Sequence, residues 1–369
     1  MVSTPRKALG SLTGLRAVAA FTVFWYHMQW MAIGLRQGDN TVAAEVLDRV
    51  ALRGYIGVSF FFVLSGFVLA WSHRPGERAA SFWARRAIRL YPNHIATWLI
   101  AALLIAASIA TAPPLLAALA NLVLLPHVFF GGDWTVMNDP SWSIEVEAFF
   151  YLVFPFVLAR IGRFPARRLR TPLLGAVAAS IGLATLALVT GHAQDEDYWR
   201  LLYFFPLFRL PEFIVGITLG LLARHRALPT IDTRVAWVSV GVAVALVVVA
   251  PVPLTFAAIT LMPFAALLVA YAGRDLAGRS GALAGPVWTH LGEISYAFYL
   301  CHLLVIRLAK APFDDGALSL PLAAGLTVVS LAGSVAAAEA LHRVVELPAA
   351  RLLRRRMTVE TVGTGAKDS

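Results

Sequence analysis

The chain has 369 residues, of which 59% are hydrophobic and 14% charged, with a mean hydropathy of +0.72. Soluble domains average about 45–50% apolar and 25% charged, so the composition excludes an ordinary soluble domain and points to a bilayer. The formal net charge of +10 would suit nucleic acid, but the Lys and Arg residues lie beside apolar spans, which argues for membrane anchoring and against a nucleic-acid partner.

Apolar stretches of about 20 residues, the length that crosses a hydrocarbon core, recur along the chain. They predict an all-α bundle of about ten transmembrane helices near residues 12–34, 55–72, 93–111, 142–160, 172–190, 201–222, 235–251, 254–272, 290–309 and 319–341. The first stretch holds Arg16 and His27 and has no small-residue cleavage site, so it is expected to stay as a span. A further apolar stretch, Pro113 to Phe130, opens on Pro113-Pro114 and is followed by Gly131-Gly132. Charge decides its placement. With the N-terminus in the cytoplasm, ten spans put Arg74, Arg78, Arg85, Arg86 and Arg89, then Arg160 to Arg170, then Arg224, Arg226, Arg234, Arg274 and Arg279 inside. They leave Arg36, Arg49, Arg53, Arg200 and Lys310 outside. An eleventh span would invert the Arg160 to Arg170 cluster, so residues 113–130 are expected to be re-entrant or interfacial.

Residues 1–357 are expected to form one transmembrane domain, with 358–369 a disordered tail and both termini on the cytoplasmic side of the inner membrane. The single cysteine, Cys301, lies in an apolar segment and can make no intrachain disulfide. It is read as a packing residue.

Ionisable groups inside spans are costly and therefore informative. Arg16 and His27 stand eleven residues apart, about three turns, and share a helix face. Counted from the outer ends of their spans, His27, Glu147 and His302 lie at similar depth, and three such groups from three helices can form a general acid/base site. The alternative is that each histidine simply bonds across helices, as polar residues in bundles do. Arg86 and Arg89, at i and i+3, offer a paired guanidinium face suited to phosphate; positive-inside anchoring is the competing account. For Glu145, Arg209, Glu212 and Arg307, ion pairing is the simpler expectation. No close ligand spacing suggests a metal.

Leu12-Thr13-Gly14-Leu15-Arg16-Ala17, with His27 following, resembles the first-span signature of the acyltransferase 3 family of integral-membrane acyl-CoA-dependent O-acyltransferases. Gly57 to Phe67 is similar to its second span, Arg86-Ala87-Ile88-Arg89 to its RxxR motif, Ser141 to Tyr151 to its WSLSVE-type segment, and Ile294 to His302 to its ISYxxYLxH element. Two positions depart from the pattern. Ser59 stands where many members carry an acidic residue, and Glu145 where Ser is common. Phe205 to Phe213 looks most like the branch that acylates macrolides and other secondary metabolites.

The resemblance implies transfer of an acyl group, foremost acetyl, from acyl-CoA as co-substrate to the hydroxyl of a sugar, glycan or macrolide-type acceptor, with no bound cofactor. His27 is then the general base and Glu147 orients it. Arg86 and Arg89 hold the CoA phosphates, Arg16 contacts the pantetheine arm, and His302 belongs to the substrate-binding set. The rival from another class is a carrier or flippase of a lipid-linked or sugar substrate, since buried charges in many spans also describe proton-coupled carriers. A binding or regulatory membrane protein is a third reading.

Overall fold

The computed structural model describes residues 8–32, 51–129, 136–313 and 318–352, and among them the regular structure is helical, with no strand. The principal helices are α1 (Gly10–Ala32), α2 (Gly57–Ser72), α3 (Ala79–Ala106), α4 (Leu115–Leu122), α5 (Trp142–Ile161), α6 (Arg170–Val189), α7 (Glu196–Phe204), α8 (Pro206–Arg224), α9 (Thr233–Val249), α10 (Leu261–Leu276), α11 (Pro286–Lys310) and α12 (Leu320–Leu341). The expected tail, 358–369, lies outside the described residues.

Several boundaries differ from the hydropathy reading for identifiable reasons. The span expected at 201–222 breaks at Phe205, which is extended at φ −77° and ψ 124°. Pro206 clashes with a helical conformation of the residue before it and is itself suited to a helix's first position. The third helix starts at Ala79 rather than near 93, because Pro92 is carried inside it. Arg86 and Arg89 therefore belong to the same helix as the apolar run that follows. Residues 252–260 form one short turn and irregular backbone before α10. Beyond α12, a π-helical turn at His342–Glu346 leads into a last helical stretch ending at Leu352.

Among the described residues, six helices are long and apolar enough to cross a membrane: those at Gly54–Ser72, Ala79–Ala106, Ala166–Val189, Pro206–Arg224, Pro286–Lys310 and Pro321–Leu352. The other expected spans do form helices, so the fold class stands while the count of ten does not follow. Two of them, α1 and α5, are long enough at 23 and 20 residues but carry Arg16, His27, Glu145 and Glu147. The remaining two, α9 and α10, have 17 and 16 residues. Of the 113–130 stretch, α4 is eight residues long, a rise of about 12 Å against a hydrocarbon core of about 30 Å. It packs on α3, where His94 Nε2 meets the Asn121 carbonyl at 2.9 Å and the Trp98 indole donates to the Ala118 carbonyl at 3.2 Å.

Two features fix the core. Helices α2 and α8 approach so closely that a Cβ on Gly216 would stand 2.0 Å from the Val63 carbonyl, and one on Gly66 2.2 Å from the Phe213 carbonyl. Small residues at this seam, Gly216 and Gly220 one turn apart, let the backbones touch, as in many membrane bundles. Inside the same seam Arg209 and Glu212 form an ion pair at 2.8 Å, one turn apart on α8, both about 1% exposed. The Arg209 guanidinium also donates to the Ser59 hydroxyl at 2.9 Å and lies over the Phe62 and Tyr203 rings. The expected ion pair is thus intrahelical, and Ser59 meets the arginine as a neutral acceptor. The start of α1 is held by the buried Asp275, which accepts from the Ser11 amide at 2.8 Å and its hydroxyl at 2.6 Å. Such a carboxylate satisfies an orphan amide and complements the helix dipole.

Candidate active site

The first cavity, about 160 Å³, opens between α1, α2, α3, α5 and α11. Its walls bring together Arg16, Arg86, Arg89 and Glu147, with Tyr151, Tyr296 and Tyr299 beside them. Glu147 accepts hydrogen bonds from the Tyr151 hydroxyl, one turn along α5, and from Ser65 at 3.3 Å. The Arg86 guanidinium lies 5.6 Å from the Phe82 ring centre and 5.8 Å from that of Tyr151. Arg89 pairs with Glu346 and lies 5.6 Å from the Tyr296 ring centre. Aromatic faces attract guanidinium charge without neutralising it, so the cavity keeps a positive balance.

His27 and His302 do not line this cavity; they meet next to Tyr299, which does. His302 Nε2 lies 3.0 Å from His27 Nδ1, and the Tyr299 ring centre is 5.9 Å from that of His302. Hydrogen bonding fixes the tautomers. His302 Nδ1 faces the Phe298 carbonyl at 3.2 Å; a carbonyl only accepts, so this nitrogen carries the proton and Nε2 is left as an acceptor. His27 Nδ1 faces that acceptor and the Val23 carbonyl at 3.1 Å, so it carries a proton too. The lone pair of His27 is therefore on Nε2. His302 is 0% exposed, whereas His27 is only part-buried, so His27 presents a basic nitrogen while His302 supports it from behind.

The geometry separates residues that the sequence reading grouped. Glu147 does not orient His27: it bonds Tyr151 and Ser65 in the arginine cavity, and the partner of the imidazole is His302. Equal depth was counted from span ends, but α5 begins inside the bundle. Asn138, just before it, donates to the Leu300 carbonyl at 2.7 Å, and Ser143 donates to the Tyr299 hydroxyl at 2.8 Å. Four residues later, about 6 Å farther along the helix, Glu147 has passed to the level of Tyr296 and Arg16. His302, placed with the substrate-binding set from sequence, is fully buried, with its two ring nitrogens facing the Phe298 carbonyl and His27.

The other singled-out residues have structural partners. Glu145 accepts from Asn121 at 2.8 Å, from the His127 amide at 3.0 Å and meets His127 Nδ1 at 2.8 Å, which ties the α4 segment to α5. Arg307 pairs with Asp139 at 2.6 Å, and Cys301 is buried. The sequence reading missed the three tyrosines. Tyr296 and Tyr299 share the face of α11 that carries His302, at intervals of three, and Tyr151 follows Glu147 by four; projecting those motifs on a helix would have found them. Among the described residues, no group of three or more His, Cys, Asp or Glu side chains could hold a metal.

Residues 9–339 match a family model described as an acyltransferase domain, the acyltransferase 3 type. The chain is 35% identical to the acyltransferase MdmB of Streptomyces mycarofaciens over 98% of this chain and 96% of that protein. It is 29% identical to the exopolysaccharide production protein ExoZ of Rhizobium meliloti over 88% of this chain and 99% of that protein. It is 26% identical to the peptidoglycan O-acetyltransferase OatA of Listeria monocytogenes over 42% of this chain and 24% of that protein. No solved structure matches.

Proposed function

The chain belongs to the acyltransferase 3 family and is an acyltransferase, and from that premise we propose that it moves an acyl group, foremost acetyl, from acyl-CoA to a hydroxyl within the bundle. The acceptor class we infer is a sugar, glycan or macrolide-type secondary metabolite, as suits relatives described as O-acetyltransferases and an exopolysaccharide production protein. Family membership sets the carrier reading aside. The single observation that carries the mechanism is the His302–His27 contact at 3.0 Å, which leaves a free lone pair on an accessible imidazole.

The cavity is graded along the helices. Tyr151 and Arg86 stand at one level, Glu147, Arg16, Arg89 and Tyr296 at the next, Ser143 and Tyr299 above them, and the histidine pair beyond. A donor with phosphates at one end and a thioester at the other fits that order: Arg86 and Arg89 take the phosphates, Arg16 follows the pantetheine arm, and the thioester reaches the histidines. Among the described residues Glu147 is the one carboxylate lining the cavity, and it limits the net charge there. His27 Nε2 removes the acceptor hydroxyl proton as the oxygen attacks the thioester carbonyl. The carbon–sulfur bond then breaks, and the imidazolium returns the proton to the departing thiolate, giving CoA thiol and ester. Through His27 Nδ1 the charge created in this step is shared with His302, without a covalent enzyme intermediate. We further place the enzyme in the cytoplasmic membrane, with both termini and the Arg86 end of the cavity facing the cytoplasm, where acyl-CoA is available.

The test is transfer of radiolabelled acetyl from acetyl-CoA by purified protein in nanodiscs to a panel of hydroxyl acceptors. Wild-type turnover with His27→Ala reduced by about 10² to 10⁴ supports the reading, and transfer by His27→Ala at wild-type rate removes His27 as the base.

A further inference from the structure

A second cavity, about 680 Å³, lies where the ends of α2, α8 and α10 converge, and it shares no lining residue with the first. Arg224, Arg226, Arg274 and Arg279 all line it, and among the described residues no Asp or Glu does. Three guanidinium groups elsewhere in the bundle are met by carboxylates: Arg209 by Glu212, Arg89 by Glu346 and Arg307 by Asp139. Here backbone carbonyls are among the partners of two of the lining arginines. Arg224 donates to the Ala70 and His73 carbonyls at 3.1 and 3.2 Å, and Arg274 donates through Nε to the Arg279 carbonyl at 3.3 Å. The carbonyl on Arg274 fixes the direction of its guanidinium and leaves its charge in place.

Helix dipoles explain part of this arrangement, since Arg224 and Arg274 sit in the last turns of α8 and α10, where cations are favoured. They do not explain Arg226 and Arg279, which follow those helices, nor the open volume between the two connections. Arg226 holds φ at +56°, a left-handed backbone uncommon for a residue with a side chain, and it lines the cavity all the same. Trp71, Val269 and other apolar residues form the rest of the wall. Planar, always-charged forks gathered over an apolar wall are the chemistry that recognises phosphate esters.

We propose that this second cavity is a binding site for a phosphate-bearing ligand, separate from the acyl-transfer cavity. Two sources share that chemistry: the headgroup of an anionic phospholipid, and the phosphates of CoA. The experiment compares wild type with the Arg226→Asn, Arg279→Ala double variant, Asn being the side chain best suited to the positive φ. In one arm both proteins are placed in phosphatidylcholine nanodiscs containing phosphatidylglycerol, and native mass spectrometry counts the phosphatidylglycerol retained. In the other, equilibrium binding of CoA is measured in nanodiscs of phosphatidylcholine alone. At least a tenfold loss in the lipid arm identifies a headgroup site, and the same loss in the CoA arm identifies the nucleotide phosphates. Equal binding by both proteins in both arms overturns the proposal and returns these residues to solvated anchoring. If the double variant is not monodisperse, Arg279→Glu alone, at an exposed position, carries the same comparison. Neither readout requires acyl transfer, so failure of this site and failure of the catalytic reading are separable.

Discussion

At the residue scale, the decisive contact joins two imidazoles 3.0 Å apart on α1 and α11. In the proposed mechanism His302 acts through His27, so its replacement should depend on whether an acceptor is restored. Gln at position 302 can present a carbonyl oxygen to His27 Nδ1; Leu cannot. His302→Gln is therefore expected to keep at least ten times the single-turnover rate of His302→Leu, with the KM for acyl-CoA unchanged in both. Equal loss in the two variants would mean that His302 only packs. A carboxylate in the same place stabilises the imidazolium, so His302→Glu should move the acidic limb of the kcat profile to higher pH. The arginine cavity gives a contrasting signature: Arg86→Ala with Arg89→Ala is expected to raise the KM for acyl-CoA at least tenfold while kcat changes little. An unchanged KM in correctly inserted protein would leave both residues as anchors.

At the scale of elements, the α2–α8 seam places the core of the bundle. Gly216→Leu puts side-chain atoms where the Val63 carbonyl already stands, since even a Cβ would come within 2.0 Å. Helix separation would expose the Arg209–Glu212 pair that the seam buries. The expected result is a loss well above the 1–3 kcal/mol of ordinary overpacking, read as a lower thermal midpoint or as aggregation on size exclusion. Gly325 is the control, because a Cβ there meets nothing within 4 Å. Gly325→Ala should stabilise α12 by about 1 kcal/mol through helix propensity. If both substitutions behave alike, close backbone approach is not what the glycines provide.

For the whole molecule, the proposed orientation rests on charge. Arg167 is exposed in the connection between α5 and α6, within the arginine cluster placed on the cytoplasmic side. Because Cys301 is the lone cysteine and is buried, Arg167→Cys with Cys301→Ser gives a single reporter. An impermeant maleimide should label it in opened vesicles and not in intact cells. Labelling in intact cells would reverse the proposed orientation or add a crossing before residue 160. The short α4 argues against a crossing by residues 113–130, since a helix of eight residues cannot reach both interfaces.

The sequence by itself determined the helical class, the membrane character and the family, and it singled out Arg16, Arg86 and Arg89, which the structure brings to one cavity. These follow from composition, from apolar run length and from motifs whose spacing is local, and local spacing survives folding. It also brought out His27 and His302, because an ionisable group inside an apolar run is visible without coordinates. Only the tertiary structure decided which groups touch. Glu147 and His302 looked equivalent when depth was counted from span ends, yet Asn138 anchors α5 at the level of Leu300 and carries Glu147 past the histidines to the arginines. The entry of Asp275 at the start of α1, 264 residues away in the chain, and the convergence of Arg226 and Arg279 on one cavity were equally beyond reach. Helix register and tilt are set by contacts between distant segments, chiefly the glycine seam and a few buried hydrogen bonds, and no periodicity within one helix records where its neighbour begins.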